Sequence, residues 1–156
     1  MEYYIDLIEE ELTDELTFED MMENSNAMLV SNEEYNIIHS FLCKYINTYK
    51  NPACELTINL ENLYEEEDED IDFNKVVDLC TFIIGCSLRK SDVITRNNNK
   101  IIVLLPELSQ QNMLSIIKRI ENKLVSQGVK NLTKICIDSR MIVPNGELPL
   151  YLKVAI

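Results

Sequence analysis

The chain has 156 residues, 46% of them apolar, and its 14 Lys and Arg stand against 27 Asp and Glu for a net charge of −13. That is room for one domain with a real core plus an extra segment, and a field of that sign excludes a general phosphate-backbone binder or a partner of anionic membranes. No apolar run approaches the ~20 residues of a membrane span, and the acidic first residues suit neither a secretory signal nor a transit peptide.

The five cysteines, Cys43, Cys54, Cys80, Cys86 and Cys136, include no C-x-x-C pair. An odd count without a signal suits a reducing compartment, so the cytoplasm and buried structural thiols are expected. Residues 1–24 hold ten carboxylates and no Lys or Arg. Residues 1–27 therefore read as an acidic leader, mobile or in short helices, with Phe18 and Met22 at helical spacing. The domain proper is expected over 28–156. Ser31 is the natural N-cap of a helix, with Glu33 and Glu34 in its first turn. Tyr35, Ile38, Leu42, Tyr45 and Tyr49 follow at helical spacing, joined by Ile37, Phe41 and Ile46.

Cys54 to Leu60 alternates as a strand. The run Glu65 to Asp70 cannot pack and reads as a solvated loop; it lacks the glycine and spaced ligands of a calcium loop. A second helix is predicted from about Phe73 to Leu88. Strands at Asp92–Arg96 and Lys100–Leu105 are joined by Asn97, Asn98 and Asn99, residues that tolerate a tight hairpin. A third helix runs from Ser109 to about Val125, with Gly128 past its end. Thr133–Val143 is a strand, Pro144 to Gly146 a turn, and Leu148–Ile156 a last strand. The order is a helix, then β-α-β-β-α-β, then a further hairpin partner. It implies an α/β, ferredoxin-like or palm-type sheet with helices on one face.

The stretch from Leu88 to Pro106, LRKSDVITRNNNKIIVLLP, is the informative one. It resembles the GGDEF family, the diguanylate cyclases, whose members show an LRxSDxxxR strand, a Gly-Gly-Asp-Glu-Phe hairpin and a strand closing in LLP. The resemblance covers about residues 29–145 and is most specific at 88–106. It implies a dimeric enzyme that joins two GTP molecules, with carboxylates on two metal ions neutralising the charge of each phosphoryl transfer.

This sequence departs from that pattern at each chemical position. The hairpin is one residue shorter, and Asn97, Asn98, Asn99 and Lys100 stand where the signature belongs, without glycine or carboxylate. The Asp-x-Asp of the first strand is matched by Asn59 and Glu61, and an amide is a poor substitute for a carboxylate on Mg²⁺. The guanine-reading residues are replaced by the acidic run at 65–70. No enzyme activity, no metal and no cofactor are therefore expected. The product-binding Arg-x-x-Asp motif matches Arg89-Lys90-Ser91-Asp92, where a guanidinium can grip phosphate or guanine and a carboxylate can accept from the base. Arg89 at a helix end and Asp92 as a turn cap is the plainer account of the same residues. His39, the only histidine, shows no Cys, Asp or Ser partner in the sequence and is expected to be structural. The leading expectation is a degenerate GGDEF-like domain serving bacterial signalling as a regulatory or protein-interaction module, through a protein partner or self-association. The alternative is a cyclic di-GMP receptor at Arg89 and Asp92. A domain that binds GTP without turning it over is a third possibility, opposed by the missing glycines.

Overall fold

The computed structural model describes residues 17–63, 72–148 and 154–156 of the chain. Its helices start where side chains satisfy the free N–H groups of a first turn. Thr17 and Asp20 form a capping box for α1, Phe18–Met22, and Ser31 and Glu34 form another for α2, Asn32–Tyr49. Asp72 caps α3, Phe73–Cys86, and Ser109 caps α4, Gln110–Ser126. Past α4, Gly128 takes a φ of 74°, which glycine adopts without strain, and leads into a single turn of 3-10 helix at Val129–Asn131.

The strands are β1 (Met28–Leu29), β2 (Ala53–Asn62), β3 (Val93–Asn97), β4 (Lys100–Leu105), β5 (Thr133–Val143), β6 (Gly146–Leu148) and β7 (Val154–Ala155). They lie in one sheet in the order β1-β3-β4-β2-β5-β6, with β7 also on β5. The four central strands pair antiparallel, while β1 runs parallel to β3. Strands β2 to β5 with α3 and α4 make up the β-α-β-β-α-β unit that the order of apolar periods implies.

The alternation of β2 divides the core in two. Cys54, Leu56, Ile58 and Leu60 face α3 and α4, where they pack with Val77, Cys80, Ile84, Met113, Ile117 and Ile120. Tyr35, Leu42 and Ile46 of α2 cover part of the opposite face, against Ala53, Val93, Leu104 and Ile142. Helices on one face thus holds for α3 and α4, and α2 takes the other side.

Several expectations change. Met21 and Met22 of α1 are 2% exposed and belong to the larger core cluster, so the packed unit begins before residue 28. They reach it because α1 and the loop after it press on Gly85 of α3, where an added Cβ would stand 3.0 Å from Ser25 Oγ and 3.1 Å from Met22 Cε. The leader's other residues, 1–16, lie outside the described residues, as does the acidic run at 65–70. Of the expected last strand, the structure describes β6, which turns straight back from β5 through Asn145 at φ 68°, and β7, both antiparallel to β5; residues 149–153 lie outside the described residues. Only Cys54 and Cys80 are buried; Cys43 on α2, Cys86 at the end of α3 and Cys136 on β5 are half-buried. Ile37 and Phe41 are 70% and 66% exposed, because the apolar arc of α2 is wider than the strip of sheet it covers. Among the described residues, no helix is long and apolar enough to cross a membrane.

Candidate functional site

The first candidate region is the β3–β4 hairpin and the end of β2 beside it. Asn98 and Asn99 form a two-residue turn between Asn97 and Lys100, and Asn98 takes the positive φ, 55°, that asparagine tolerates. The tip is tied to β2: Leu60 N donates to Asn99 O at 3.0 Å, and Asn99 Nδ2 donates to Leu60 O at 2.8 Å. Asn59 therefore lies directly across from Lys100 on one side and Cys136 on the other. Paired residues in an antiparallel ladder share a face, so the Lys100 side chain leaves the sheet on the side of Asn59. Glu61, two residues on and on that same face, makes an exposed ion pair with Lys134 at 3.9 Å. The structure thus sets Lys100 opposite Asn59, with Glu61 on the same face and paired to Lys134. Arg96 turns to the other face, where it pairs with Asp78, donates to Asn74 Oδ1 at 3.2 Å and lies over the Phe18 ring.

Arg89 and Asp92 stand at the far end of β3, about 17 Å of strand from the hairpin at ~3.3 Å per residue. Asp92 is 0% exposed. Its carboxylate accepts from the Arg89 backbone N–H at 2.7 Å, from Arg89 Nε at 3.1 and 3.2 Å, and from Arg89 Nη2 at 2.7 Å. The same Nη2 donates to Pro106 O at 2.7 Å. The motif is a closed clamp: the carboxylate caps the turn after α3, and the guanidinium locks that turn to the end of β4. The outer part of Arg89, whose side chain is 38% exposed, borders a cavity of about 390 Å³ lined also by Ile38, Phe41, Tyr45, Pro106 and Glu107. A second hollow, of about 580 Å³, lies on the outer side of α4 between Lys118, Arg119 and Lys123.

Two features were missed in the sequence. The first is the open side of α2, where Phe41, Tyr45 and Tyr49 stack in series with ring centroids 6.2 and 4.6 Å apart. The second is His39, which does have partners: Cys43 Sγ at 3.7 Å from Nδ1, and Glu55 Oε2 at 3.7 Å from Nε2. The spacing of four between His39 and Cys43 on a confident helix was the available signal. Nothing local points to Glu55, which arrives from β2.

Neither protein-family models nor curated proteins match this chain. Solved structures do. The GGDEF domain of YfiN (TpbB) from Pseudomonas aeruginosa is 21% identical with a TM-score of 0.62, over 72% of this chain and 76% of that one. The fold is that of a GGDEF domain. The coiled coil and GGDEF domain of DgcB from Caulobacter crescentus, in complex with c-di-GMP, is 10% identical at a TM-score of 0.58, over 88% of this chain and 75% of that one. The diguanylate cyclase SiaD of P. aeruginosa, in complex with its activator SiaC, is also 10% identical, with a TM-score of 0.61 over 90% of this chain and 54% of that one.

On this GGDEF fold, the two carboxylate-held metal ions implied by the resemblance do not fit the residues of β2 and the hairpin. Among the described residues, no group of three His, Cys, Asp or Glu could hold a metal ion. An amide at Asn59, a lone carboxylate at Glu61 that pairs with Lys134, and an ammonium at Lys100 do not make a hard-oxygen cage.

Proposed function

We propose that this GGDEF-like chain has no cyclase activity and works as a signalling module that self-associates through the open face of α2. The observation that carries the loss of catalysis is the register of Lys100 against Asn59. That pairing places a positive charge beside the position where the resemblance calls for a metal-binding carboxylate.

Self-association draws on the pattern along α2. Ile37, Phe41 and Tyr49 are 70%, 66% and 61% exposed, an apolar strip that a lone surface helix gains nothing by showing to water. Glu33 and Glu34 lie at its start, Lys44 in its second half and Lys50 just beyond its end. Two copies packed antiparallel about Phe41 set the acidic start of one helix against the basic end of the other, with Ile37 and Phe41 between them. The surface is complementary to itself, as a two-fold interface requires. Protein contacts on this fold have a parallel in SiaD, which is held by its activator SiaC.

Phe41→Glu tests this, because Phe41 is exposed and its loss should leave the fold intact. Sedimentation equilibrium from about 1 to 100 µM should give a dimer for the natural chain and a dissociation constant at least about tenfold weaker for Phe41→Glu, with the same thermal midpoint once both are diluted to monomers. A monomer throughout for the natural chain would overturn the α2 interface.

A receptor for cyclic di-GMP is the second reading. It is favoured by Arg89 bordering a cavity with Phe41 and Tyr45, and by the ligand held in the DgcB structure. Against it, the Asp92 carboxylate is fully buried and already accepts from Arg89 at four contacts.

A further inference from the structure

Between α2 and the sheet lies a row of titratable side chains that the module reading does not use. Cys43 Sγ stands 3.7 Å from Nδ1 of His39, one turn earlier on α2. His39 Nε2 stands 3.7 Å from Oε2 of Glu55 on β2. Glu55 is 9% exposed and is held from two other sides: the Tyr35 hydroxyl donates to it at 2.5 Å, and Arg140 Nε of β5 lies 3.4 Å away. A carboxylate fixed in this way favours the tautomer with the proton on Nε2. That leaves Nδ1, the nitrogen beside the thiol, as the acceptor.

The other described cysteines lack this arrangement, since His39 is the only histidine of the chain. Cys54 and Cys80 are 0% exposed, and burial pushes both thiols up to about 12. Burial also raises the Cys86 thiol. Cys136 is half-buried, in the middle of β5 between β2 and β7. Cys43 alone combines partial exposure with a base held in place by an acid.

We propose that Cys43 is the modification site of this protein, a nucleophilic thiol that takes disulfides of small thiols, with His39 as its base and Glu55 as the positioning residue. The Sγ proton passes to His39 Nδ1. The thiolate then bonds to one sulfur of the incoming disulfide, the S–S bond breaks, and the other sulfur leaves as a thiolate that takes up the proton. The product is a mixed disulfide on α2, reversed by excess thiol.

The probe is 5,5′-dithiobis(2-nitrobenzoate), added to the intact chain, with the modified cysteines mapped by peptide mass. At pH 7 Cys43 should react first, and His39→Gln should slow it by about tenfold while leaving Cys136 and Cys86 unchanged. At about pH 9.5, above the ~8.5 of a free thiol, the base is no longer needed, and His39→Gln should match the natural chain within about twofold. Glu55→Gln, which can still accept from Tyr35 but no longer sets a charge beside His39, should lie between the two at pH 7. The proposal fails if Cys43 reacts no faster than Cys136. It fails as well if His39→Gln has no effect at pH 7, or slows Cys43 equally at both pH values, since that last result would mean altered access rather than a lost base.

Discussion

Replacing Arg89 by alanine is expected to destabilise the folded chain by about 3 kcal/mol, because it strips a fully buried carboxylate of its charged partner. Asp92 would keep only the backbone N–H of residue 89, and the link from the turn to Pro106 O would be lost as well. The reverse change, Asp92→Ala, should cost less, about 1–2 kcal/mol, since the half-exposed guanidinium can turn to water whereas the carboxylate cannot. Urea unfolding of the two variants measures the difference, and the asymmetry marks a structural clamp. Equal and negligible losses would mean that the pair is not closed in solution. This bears on function directly. A variant that loses this much stability is a poor control for ligand binding, so cyclic di-GMP is best titrated into the natural chain.

Stability should fall steeply above pH 9. Burial pushes the Cys54 and Cys80 thiols up to about 12, with the charge of Glu55 adding to the shift at Cys54. Burial, and then the neighbouring Glu55, likewise push the Tyr35 hydroxyl upward from 10. In the unfolded chain these groups release their protons at ordinary values, about 8.5 for a thiol and 10 for a phenol. Between the two values the folded state holds more protons than the unfolded one, so stability is intact below about pH 8.5 and drains as pH rises. Each group contributes a slope of up to about 1.4 kcal/mol per pH unit, and the two thiols together about 3 kcal/mol per unit near pH 10. Against typical stabilities of about 5–15 kcal/mol, unfolding is expected by about pH 11. Urea midpoints at successive pH values measure the slope, and Cys80→Ala should flatten it by about half. A stability flat to pH 11 would contradict the tight burial of these groups.

Much of the architecture was legible because local chemistry and global fold agree. Ser31 with Glu34, and Ser109 with its own N-terminal turn, start helices where the capping pattern puts them. β4 and β5 occupy the expected residues, Lys100–Leu105 and Thr133–Val143. The hairpin needed only an asparagine able to take a positive φ, and Asn98 supplies it. The turn also sets the register of β3 on β4, with Asn97 opposite Lys100, but the opposition of Asn59 and Lys100 joins β2 to β4 across α3 and β3 and is not fixed by it.

What could not be read depends on contacts between distant segments. Ile37 and Phe41 carry the same helical period as Leu42 and Ile46, and only the narrow strip of sheet under α2 leaves them in water. Met21 and Met22 lie in an acidic stretch, yet Gly85 makes a place for them some sixty residues later. Glu55 sits in an apolar strand with no local hint that Tyr35, His39 and Arg140 converge on it. The Arg89–Asp92 motif was visible, but its closure needed the Pro106 carbonyl from the next strand.

The most direct test of the account is to incubate the purified natural chain with GTP and Mg²⁺, or Mn²⁺, and to follow cyclic di-GMP by chromatography. The opposition of Lys100 to Asn59 predicts no product above that of a sample without protein. Sustained synthesis of cyclic di-GMP that survives repurification and is abolished by Glu61→Ala would contradict it, and would mean that this strand and hairpin still assemble a working metal site.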